Sequence, residues 1–268
     1  MKINKIAATL IIHGISLICY AQSPDPLVEY TFDISGTKIP NQGMLQQKFD
    51  ATMGGNARVT KEGEGPFGIG CALDLTKSEM GTIPNAFAVT SKNEGLTGHS
   101  ALTVTGWIKP IEPLDIGAFI LRCSTGSSGK TDGWLIKANS NNRLSLVIGP
   151  GNTLSTYSCF AQAFSRVNTW QFFAVTWHEA KGATWYIGTE NIPPKPIGVS
   201  KTPQRMGTAE QTLQIGRSGT KSGAFKGYLD NIKIFDNVLS NEQIKVIYLE
   251  AKGVKTLSND QLRTMYGL

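Results

Sequence analysis

Closely spaced acidic residues are the first places in this sequence where chemistry could take place. Hydrolysis of a glycosidic bond needs two carboxylates, about 5–9 Å apart, on either side of the bond. The pairs with the shortest spacing are Glu62 and Glu64, beside glycines, and Glu112 and Asp115, beside a proline. Gly and Pro are typical of turns, where carboxylates are solvated. These pairs do not predict a catalytic site, and we expect a protein without enzymatic activity.

The histidines do not indicate a metal site or an activated nucleophile. His13, His99 and His178 are far apart, and no Cys/His spacing matches that of zinc ligands. Nothing near His99 or His178 indicates a Ser–His–Asp arrangement. The sequence therefore offers residues for binding rather than for catalysis.

The first 21 residues are predicted to be a secretory signal. Lys2 and Lys5 form a positive start, and the apolar run that follows is shorter than the about 20 residues needed to cross a bilayer. The segment Cys-Tyr-Ala that ends at Ala21 is a suitable cleavage site. Lipidation at Cys19 is the alternative, but the bulky Ile18 before it does not fit the lipoprotein pattern. We expect a secreted protein, extracellular or periplasmic, that does not span a membrane.

Cysteine pairing stays open at this stage. Without the signal, Cys71, Cys123 and Cys159 remain, so the chain can form at most one disulfide. A bridge between Cys123 and Cys159 is compatible with export and would stabilise the fold by about 3–4 kcal/mol through loop closure. The alternative is three buried thiols that act as small apolar residues.

Composition favours a folded protein that is rich in β-strands. Charged residues are 17% of the 268 residues, against about 25% in an average soluble domain, and there are 29 glycines. Such a chain is neither disordered nor a coiled coil. Its net charge of +6 comes from acids and bases mixed along the whole length, unlike the concentrated basic patch of a nucleic-acid-binding protein.

About a dozen short apolar runs predict β-strands, because they are rich in β-branched and aromatic residues and are separated by Gly, Asn, Ser and Thr. Alternation places Leu102 and Ile108 on one face of their strand. It likewise places Tyr228, Ile232 and Ile234 on one face of the last strand. So many short strands predict an antiparallel sandwich or barrel.

The C-terminal segment changes to a helical pattern. Ser240 and Gln243 have the spacing of a capping box, and apolar residues follow at helical spacing, namely Ile244, Ile247 and Tyr248. We predict one short amphipathic helix here. Residues 239–248 are echoed by residues 257–266, which indicates either a second helical turn or a loose tail.

Seven segments follow one another in the order of one known family. They are 30–33 (YTFD), 70–74 (GCALD), 101–110 (ALTVTGWIKP), 170–177 (WQFFAVTW), 185–188 (WYIG), 213–217 (LQIGR) and 225–235 (FKGYLDNIKIF). Together they resemble the laminin-G-like jelly rolls of the concanavalin A-like lectin/glucanase superfamily. The resemblance implies an all-β fold, a two-sheet antiparallel jelly-roll sandwich with a short C-terminal helix. We expect this domain to occupy residues 22–252, followed by a tail at residues 253–268.

The resemblance also implies a function. Members of this family usually act as secreted, non-catalytic modules, so we expect carbohydrate (polysaccharide) binding or adhesion through the concave sheet. The alternatives are a glycoside hydrolase or polysaccharide lyase of the same superfamily, and a protein–protein interaction module. The Glu-x-Asp-x-Glu strand of the glucanase branch is absent from this sequence, which argues against the hydrolase.

A structural calcium ion is a further implication of the resemblance. Many such jelly rolls hold Ca²⁺ between the first and the last strand, where this sequence has Asp33 and Asp230. Calcium prefers several oxygen ligands, typically carboxylates and backbone carbonyls. Alternatively, Asp33 caps a turn and Asp230 bonds nearby backbone amides.

Three basic residues are candidates for binding an extracellular glycan. Arg122, Lys137 and Arg143 have the parity opposite to that of the apolar residues in their strands. If these strands are neighbours in the concave sheet, the three side chains form a basic shelf that suits an acidic glycan. The alternative is an ordinary solvated sheet face.

Trp107 is the candidate aromatic residue of the binding surface. It has the parity opposite to that of Leu102 and Ile108 and shares a face with Thr105. A regular strand therefore turns Trp107 away from the core, where its ring could stack on a sugar. A bulge at Gly106 would instead return it to the core.

Overall fold

The computed structural model describes residues 24–78, 86–91, 94–114, 117–125, 132–139, 142–151, 157–160, 166–217 and 223–253. The predicted signal and the repeated segment 257–266 lie outside the described residues. Within them, the chain forms sixteen strands, numbered β1–β16 in chain order, one α-helix, and two short 3-10 helices at Gln46–Phe49 and Pro66–Gly68.

The strands form two antiparallel sheets. The first sheet has the order β14 (Ile192–Ser200), β13 (Gly182–Thr189), β12 (Gln171–His178), β7 (Ala101–Pro110), β16 (Gly227–Phe235), β5 (Leu73–Asp74) and β4 (Arg58–Val59), with β1 (Val28–Tyr30) also paired to β16. The second has the order β11 (Tyr157–Phe160), β10 (Arg143–Pro150), β9 (Asp132–Asn139), β8 (Phe119–Cys123), β15 (Gln214–Ile215), β6 (Ala86–Thr90), β3 (Ala51–Gly55) and β2 (Lys38–Ile39). The predicted jelly-roll sandwich is confirmed.

The main core lies between the inner faces of the two sheets. Leu102 and Ile108 point into it from β7, and Leu144 and Leu146 point into it from β10, all at most 1% exposed. Burying each such side chain stabilises the fold by about 1.5–3 kcal/mol. Trp134 lies in the same core and satisfies its indole N–H by donating to the Leu96 carbonyl at 2.7 Å.

A bulge in β16 reverses the alternation of this strand. The register against β7 shifts between Asp230 and Lys233, and Asn231 has a positive φ of 47°, which asparagine tolerates better than most residues. Tyr228, before the bulge, packs on the outer side of the sheet, whereas Ile232 lies in the main core. The predicted common face of these two residues is therefore wrong, because one extra residue shifts the period of two.

The outer face of the first sheet is covered by the helix α1 (Asn241–Glu250). The predicted capping box is present, since Ser240 Oγ accepts from the Gln243 N–H and the Gln243 side chain accepts from the Ser240 N–H. The buried residues of the helix pack on this face, namely Ile244, Ile247, Tyr248 and Leu249. The predicted helix is confirmed. Within the described residues, no helix combines the length and apolar character needed to cross a membrane.

A buried ion triad joins the helix to the sheet. Lys233 of β16 is 7% exposed and lies 2.9 Å from the Glu29 carboxylate in β1 and 2.6 Å from the Glu250 carboxylate in α1. Burial alone would lower the pKa of Lys233, but the carboxylates of Glu250 and Glu29 outweigh burial and raise it. The charged lysine therefore holds the end of the helix against the two strands.

Of the two alternatives that the sequence left open for the cysteines, the strand order excludes a disulfide between Cys123 and Cys159. Cys123 is in β8 and Cys159 is in β11, and the strands β9 and β10 lie between them. Three strand spacings separate the residues by about 14 Å, twice the largest Cα separation of a disulfide. Cys123 is a free, buried thiol, and burial raises its pKa to about 12. It acts as a small apolar residue of the core.

Candidate functional site

Trp107 lies on the outer face of the first sheet, as its parity predicts, but it is fully buried there. Its ring stacks on Tyr248 of α1, with 5.4 Å between the centroids, and meets Phe67 and Phe172 edge-on at 5.0 and 5.5 Å. The strand β7 itself is regular at Gly106, and the extra residue is in β16, where Asn231 and Ile232 lie opposite Gly106. Trp107 is thus part of a core beneath the helix, which corrects the expectation of an exposed platform for a sugar.

The three basic candidates come together on the second sheet. Because β8, β9 and β10 are neighbours, Arg122, Lys137 and Arg143 share the face opposite the core, all half-buried. Arg122 is level with Leu135 of β9, and Arg143 is level with Asn139, so the three residues follow one another along this face. Ser145 of β10 is directly opposite Lys137 on this face. Trp107 belongs to the other sheet and does not join them. We call this surface the basic face, and its role in binding a ligand stays a prediction.

Two residues that the sequence did not single out extend the basic face. Gln214 of β15 is directly opposite Arg122, and the Arg217 guanidinium lies 3.4 Å from the centre of the Phe87 ring. In the described part of the chain, Gln214 Oε1 and Arg217 Nε are buried without a hydrogen-bond partner. Burial lowers the pKa of Arg217, but a guanidinium stays charged at neutral pH. Arg217 follows a strand of only two residues, so alternation could not assign it to a face.

Acidic residues are nearly absent from the strands that form the basic face. The sequences of β8, β9, β10 and β15 contain one acid, Asp132. It has the parity of the inward residues and accepts a hydrogen bond of 2.8 Å from the Thr125 N–H. The outward side chains of these strands are therefore basic, polar or apolar. Such a surface attracts anions, and its guanidinium groups can bind a carboxylate or sulfate through two parallel hydrogen bonds.

A second candidate site lies where the first strand, the last strand and a glycine-rich loop (residues 61–70) meet. Asp33 and Asp230 both border this cleft, which measures about 590 Å³. Asp230 is 2% exposed, and its carboxylate accepts from the Asn231 N–H at 2.7 Å and the Asn231 side-chain amide at 2.9 Å. Asp33 is exposed and accepts from the Cys71 N–H at 2.7 Å. The two predicted metal ligands thus share a cleft, and each also makes the amide contacts of the alternative interpretation.

Glu62 and Cys71 add to the ligand atoms at this cleft. The Asp33 and Glu62 carboxylates and the Cys71 thiol each have an atom within 4.8 Å of the other two. The Gly70 N–H donates to Glu62 at 3.1 Å, so the loop backbone orients this carboxylate. Sequence analysis assigned Glu62 to a solvated turn, because its neighbours in space are distant along the chain.

The cleft carries an excess of negative charge. Burial, followed by the charge of Glu62, raises the pKa of Cys71. Burial is also the main cause that raises the pKa of Asp230 well above its usual value, and the negative charge of Asp33 adds to it. A bound cation would oppose both increases in pKa, because it favours the negatively charged forms of Cys71 and Asp230. The carboxylate oxygens suit Ca²⁺, whereas a thiol is a ligand of softer metals such as Zn²⁺. The residues present therefore fit calcium through their carboxylates.

Several solved structures of similar shape are binding domains of neurotoxins. The binding domain of botulinum neurotoxin serotype D/C VPI 5993 has a TM-score of 0.62 and 15% identity, over 85% of this chain and 52% of that chain. The binding domain of botulinum neurotoxin DC is similar both in complex with SialylT (TM-score 0.59, 15% identity, 85% and 51%) and in complex with rat synaptotagmin II (0.61, 15%, 87% and 52%). This chain spans about half the length of these domains.

Sequence comparison gives the family directly. No curated protein sequence matches this chain. The family model described as the concanavalin A-like lectin/glucanases superfamily matches residues 85–245, from β6 to the first part of α1. Because this match covers more than half of the chain and the fold is a two-sheet antiparallel sandwich, the chain belongs to the concanavalin A-like lectin/glucanase superfamily.

Proposed function

We propose that this protein is a secreted, non-catalytic binding module that holds an acidic polysaccharide on the basic face. The observation that carries the proposal is the placement of Arg122, Lys137 and Arg143 on three neighbouring strands, where the described outward residues include no carboxylate. Carboxylates or sulfates of a polysaccharide would pair with these side chains.

The relatives support binding by this fold. The binding domain of botulinum neurotoxin DC has been solved in complex with SialylT, a glycan, and in complex with a protein, synaptotagmin. The charge of the basic face favours an acidic glycan over an unspecified protein partner. Export by the predicted signal would bring this face into contact with extracellular polysaccharides.

The acidic cleft is better explained as a cation site than as a catalytic pair. Both oxygens of Asp230 accept hydrogen bonds from Asn231, and the side chain is nearly inaccessible. A general acid must reach the glycosidic oxygen, which this carboxylate is not free to do. Asp33 and Glu62, whose carboxylates lie within 4.8 Å of each other, would instead hold a structural calcium ion between the first strand and the glycine-rich loop, in the cleft that Asp230 also borders.

Affinity electrophoresis tests the proposed function. The protein would be run in native gels that contain alginate, polygalacturonate or chondroitin sulfate, and in gels that contain a neutral polysaccharide. We expect retardation by at least one acidic polymer, weakened by added salt because the contacts are electrostatic. The double variant Lys137→Gln/Arg143→Gln should lose most of this retardation, since both cationic groups are removed.

The matched control is Lys181→Gln in the exposed turn between β12 and β13 of the other sheet. It removes a surface charge without touching the basic face, so its retardation should equal that of the unmodified protein. Equal retardation of the double variant and the control would contradict the proposal. Retardation by neutral polymers alone would contradict it too.

A further inference from the structure

We propose a second sugar-binding site on the first sheet, a cleft that takes a neutral pyranose residue. This proposal rests on the carbohydrate-binding function proposed above but concerns another surface and a ligand of different charge. The cleft measures about 380 Å³, near the lower end of the range of about 300–1,000 Å³ for ligand pockets, so it suits one or two sugar rings. We call it the lysine cleft, and its side chains are Glu64, Lys109, Trp170, Glu190 and Tyr228.

The floor of the lysine cleft is formed by neighbouring strands. Lys109 of β7 is directly opposite Tyr228 of β16, and Trp170 immediately precedes β12. The Lys109 ammonium lies 5.5 Å from the centre of the Tyr228 ring and 5.9 Å from that of Trp170. Cation–π attraction therefore orients the lysine. Its side chain forms no ion pair among the described residues, so its ammonium donors remain available to a ligand.

The wall of the lysine cleft is the glycine-rich loop, which hydrogen bonds hold in one shape. The N–H groups of Gly63 and Gly65 donate to the Gly70 carbonyl at 2.9 and 3.2 Å. The Phe67 N–H donates to Glu190 Oε1 at 2.6 Å, while the Phe67 ring packs under the helix. A site that is formed before the ligand arrives loses less conformational entropy on binding.

Each carboxylate of the lysine cleft uses one oxygen for the loop and keeps the other for a ligand. Glu64 Oε2 accepts from the Lys61 N–H at 2.8 Å, and Glu190 Oε1 accepts from Phe67. The second oxygens of Glu64 and Glu190 have no partner in the part of the chain that the structure describes. The cleft thus combines two free acceptors with the donors of Lys109.

The charge balance of the lysine cleft favours a neutral sugar over an acidic one. An acidic sugar would be repelled, because Glu64 and Glu190 outnumber Lys109. A neutral pyranose has neighbouring hydroxyls that can donate to the carboxylates and accept from the ammonium. Its C–H face can pack on the half-buried ring of Tyr228. The first sheet would therefore bind a neutral glycan, and the second sheet would bind an acidic one.

Nuclear magnetic resonance of the protein labelled with ¹⁵N-tryptophan tests this site. The signal of the Trp170 indole, assigned with Trp170→Phe, would be followed during titration with maltose, cellobiose, lactose and mannobiose. At about 20 mM sugar, well above the about 1 mM Kd of a weak site, at least one disaccharide should shift this signal to saturation. Galacturonate oligosaccharides should not shift it.

Two conservative variants locate the contacts. Lys109→Met keeps the apolar stem on the rings, and Glu190→Gln keeps the acceptor for the loop, so both should fold. Each should weaken the disaccharide about tenfold, because it removes a charged hydrogen-bonding group. Lys181→Met should leave the affinity unchanged.

The two binding proposals can fail independently. If no neutral disaccharide shifts the Trp170 signal, the lysine cleft is not a sugar site, whatever the gels with acidic polymers show. A shift that survives both Lys109→Met and Glu190→Gln would also overturn the proposal, since the sugar would then bind elsewhere. Loss of retardation by acidic polymers in Lys137→Gln/Arg143→Gln with an unchanged disaccharide titration would show that the surfaces are separate.

Discussion

The two sheets of the sandwich turn very different outer faces away from the core that they share. On the first sheet, helix α1 covers an aromatic cluster in which Trp107 is fully buried. On the second sheet, the outward positions carry half-buried basic residues, including Lys137 and Arg143. Alternation describes both faces equally well, since all three residues have the parity opposite to that of the core. It identifies the face that avoids the core, but the rest of the chain decides what covers that face.

The largest expected effect is a difference in stability loss between two surfaces. One is the outer face of the first sheet, which helix α1 covers and which we call the covered face, and the other is the basic face. Trp107→Ala should lower the free energy of unfolding by about 3–5 kcal/mol, because it leaves a cavity between β7 and α1. Arg143→Ala should lower it by about 1 kcal/mol or less, as for other partly exposed charges. Urea denaturation of both variants measures the contrast. A small loss for Trp107→Ala would mean that the helix does not protect this residue.

The next largest effect concerns the ion triad that attaches the helix to the covered face. Lys233→Met leaves Glu29 and Glu250 without their shared cation, so the free energy of unfolding should fall by about 3 kcal/mol at neutral pH. Because the pKa of Lys233 is raised by folding, this stabilisation is complete below the ordinary lysine value of about 10.4 and is lost as the pH rises through the folded pKa.

Urea denaturation at about pH 7 and about pH 11 measures this loss, since the difference between the unmodified protein and Lys233→Met should shrink at the higher pH. Lys245→Met on the same helix is the comparison variant. An equal difference at both pH values would exclude the ammonium as the cause.

Calcium at the edge of the covered face should have a smaller effect. An ion at a hundred times its Kd stabilises the folded protein by about 2.7 kcal/mol, which thermal melting in calcium and in a chelator would show as a higher melting temperature with calcium. Asp33→Asn should abolish the increase, because it removes one of the two clustered carboxylates. Identical melting of the unmodified protein under both conditions would remove the calcium proposal.

The pH dependence of stability in the metal-free protein gives a second test of the calcium proposal. Folding raises the pKa of Asp230, so the folded state binds this proton more tightly than the unfolded state. Its stability should therefore rise as the pH falls through the folded pKa, down to the ordinary aspartate value of about 3.9. Asp230→Asn should lack this rise, and so should the calcium-bound protein, because the ion favours the charged carboxylate.

The smallest effect is expected at the start of the covering helix. Ser240→Ala removes the acceptor for the Gln243 N–H and should lower the free energy of unfolding by about 1 kcal/mol. Ser240→Asp keeps an acceptor for the Gln243 N–H, so it should retain most of the stability that Ser240→Ala loses. Hydrogen exchange of the Trp107 indole would report the same loosening more directly. Equal stability of all three proteins would show that the cap does not contribute.

Local patterns predicted the features that depend on neighbours in the sequence. The capping box at Ser240 and Gln243 led directly to α1, and the alternation of Leu102 and Ile108 identified their inward face. The same reasoning failed for Tyr228, because a single bulge residue with positive φ is not visible in the pattern of apolar residues.

Contacts between distant segments were beyond the reach of these patterns. The order of strands puts β9 and β10 between Cys123 and Cys159, which no spacing of cysteines could reveal. Glu62 comes close to Asp33 only when the glycine-rich loop folds back on the first strand. Lys109 of β7 and Trp170, just before β12, are distant along the chain, and they meet because these two strands are adjacent in the sheet.

What the sequence determined by itself is a β chain whose strands have one apolar side, a capped C-terminal helix and the motifs of its superfamily. These features follow from periodicity and local hydrogen bonding, which act over a few residues. Only the tertiary structure decided that Trp107 is covered, that three basic strands lie side by side and that two clefts border the glycine-rich loop. Strand order and the docking of the helix depend on burying apolar area between remote segments, and that global packing is not encoded at any one position.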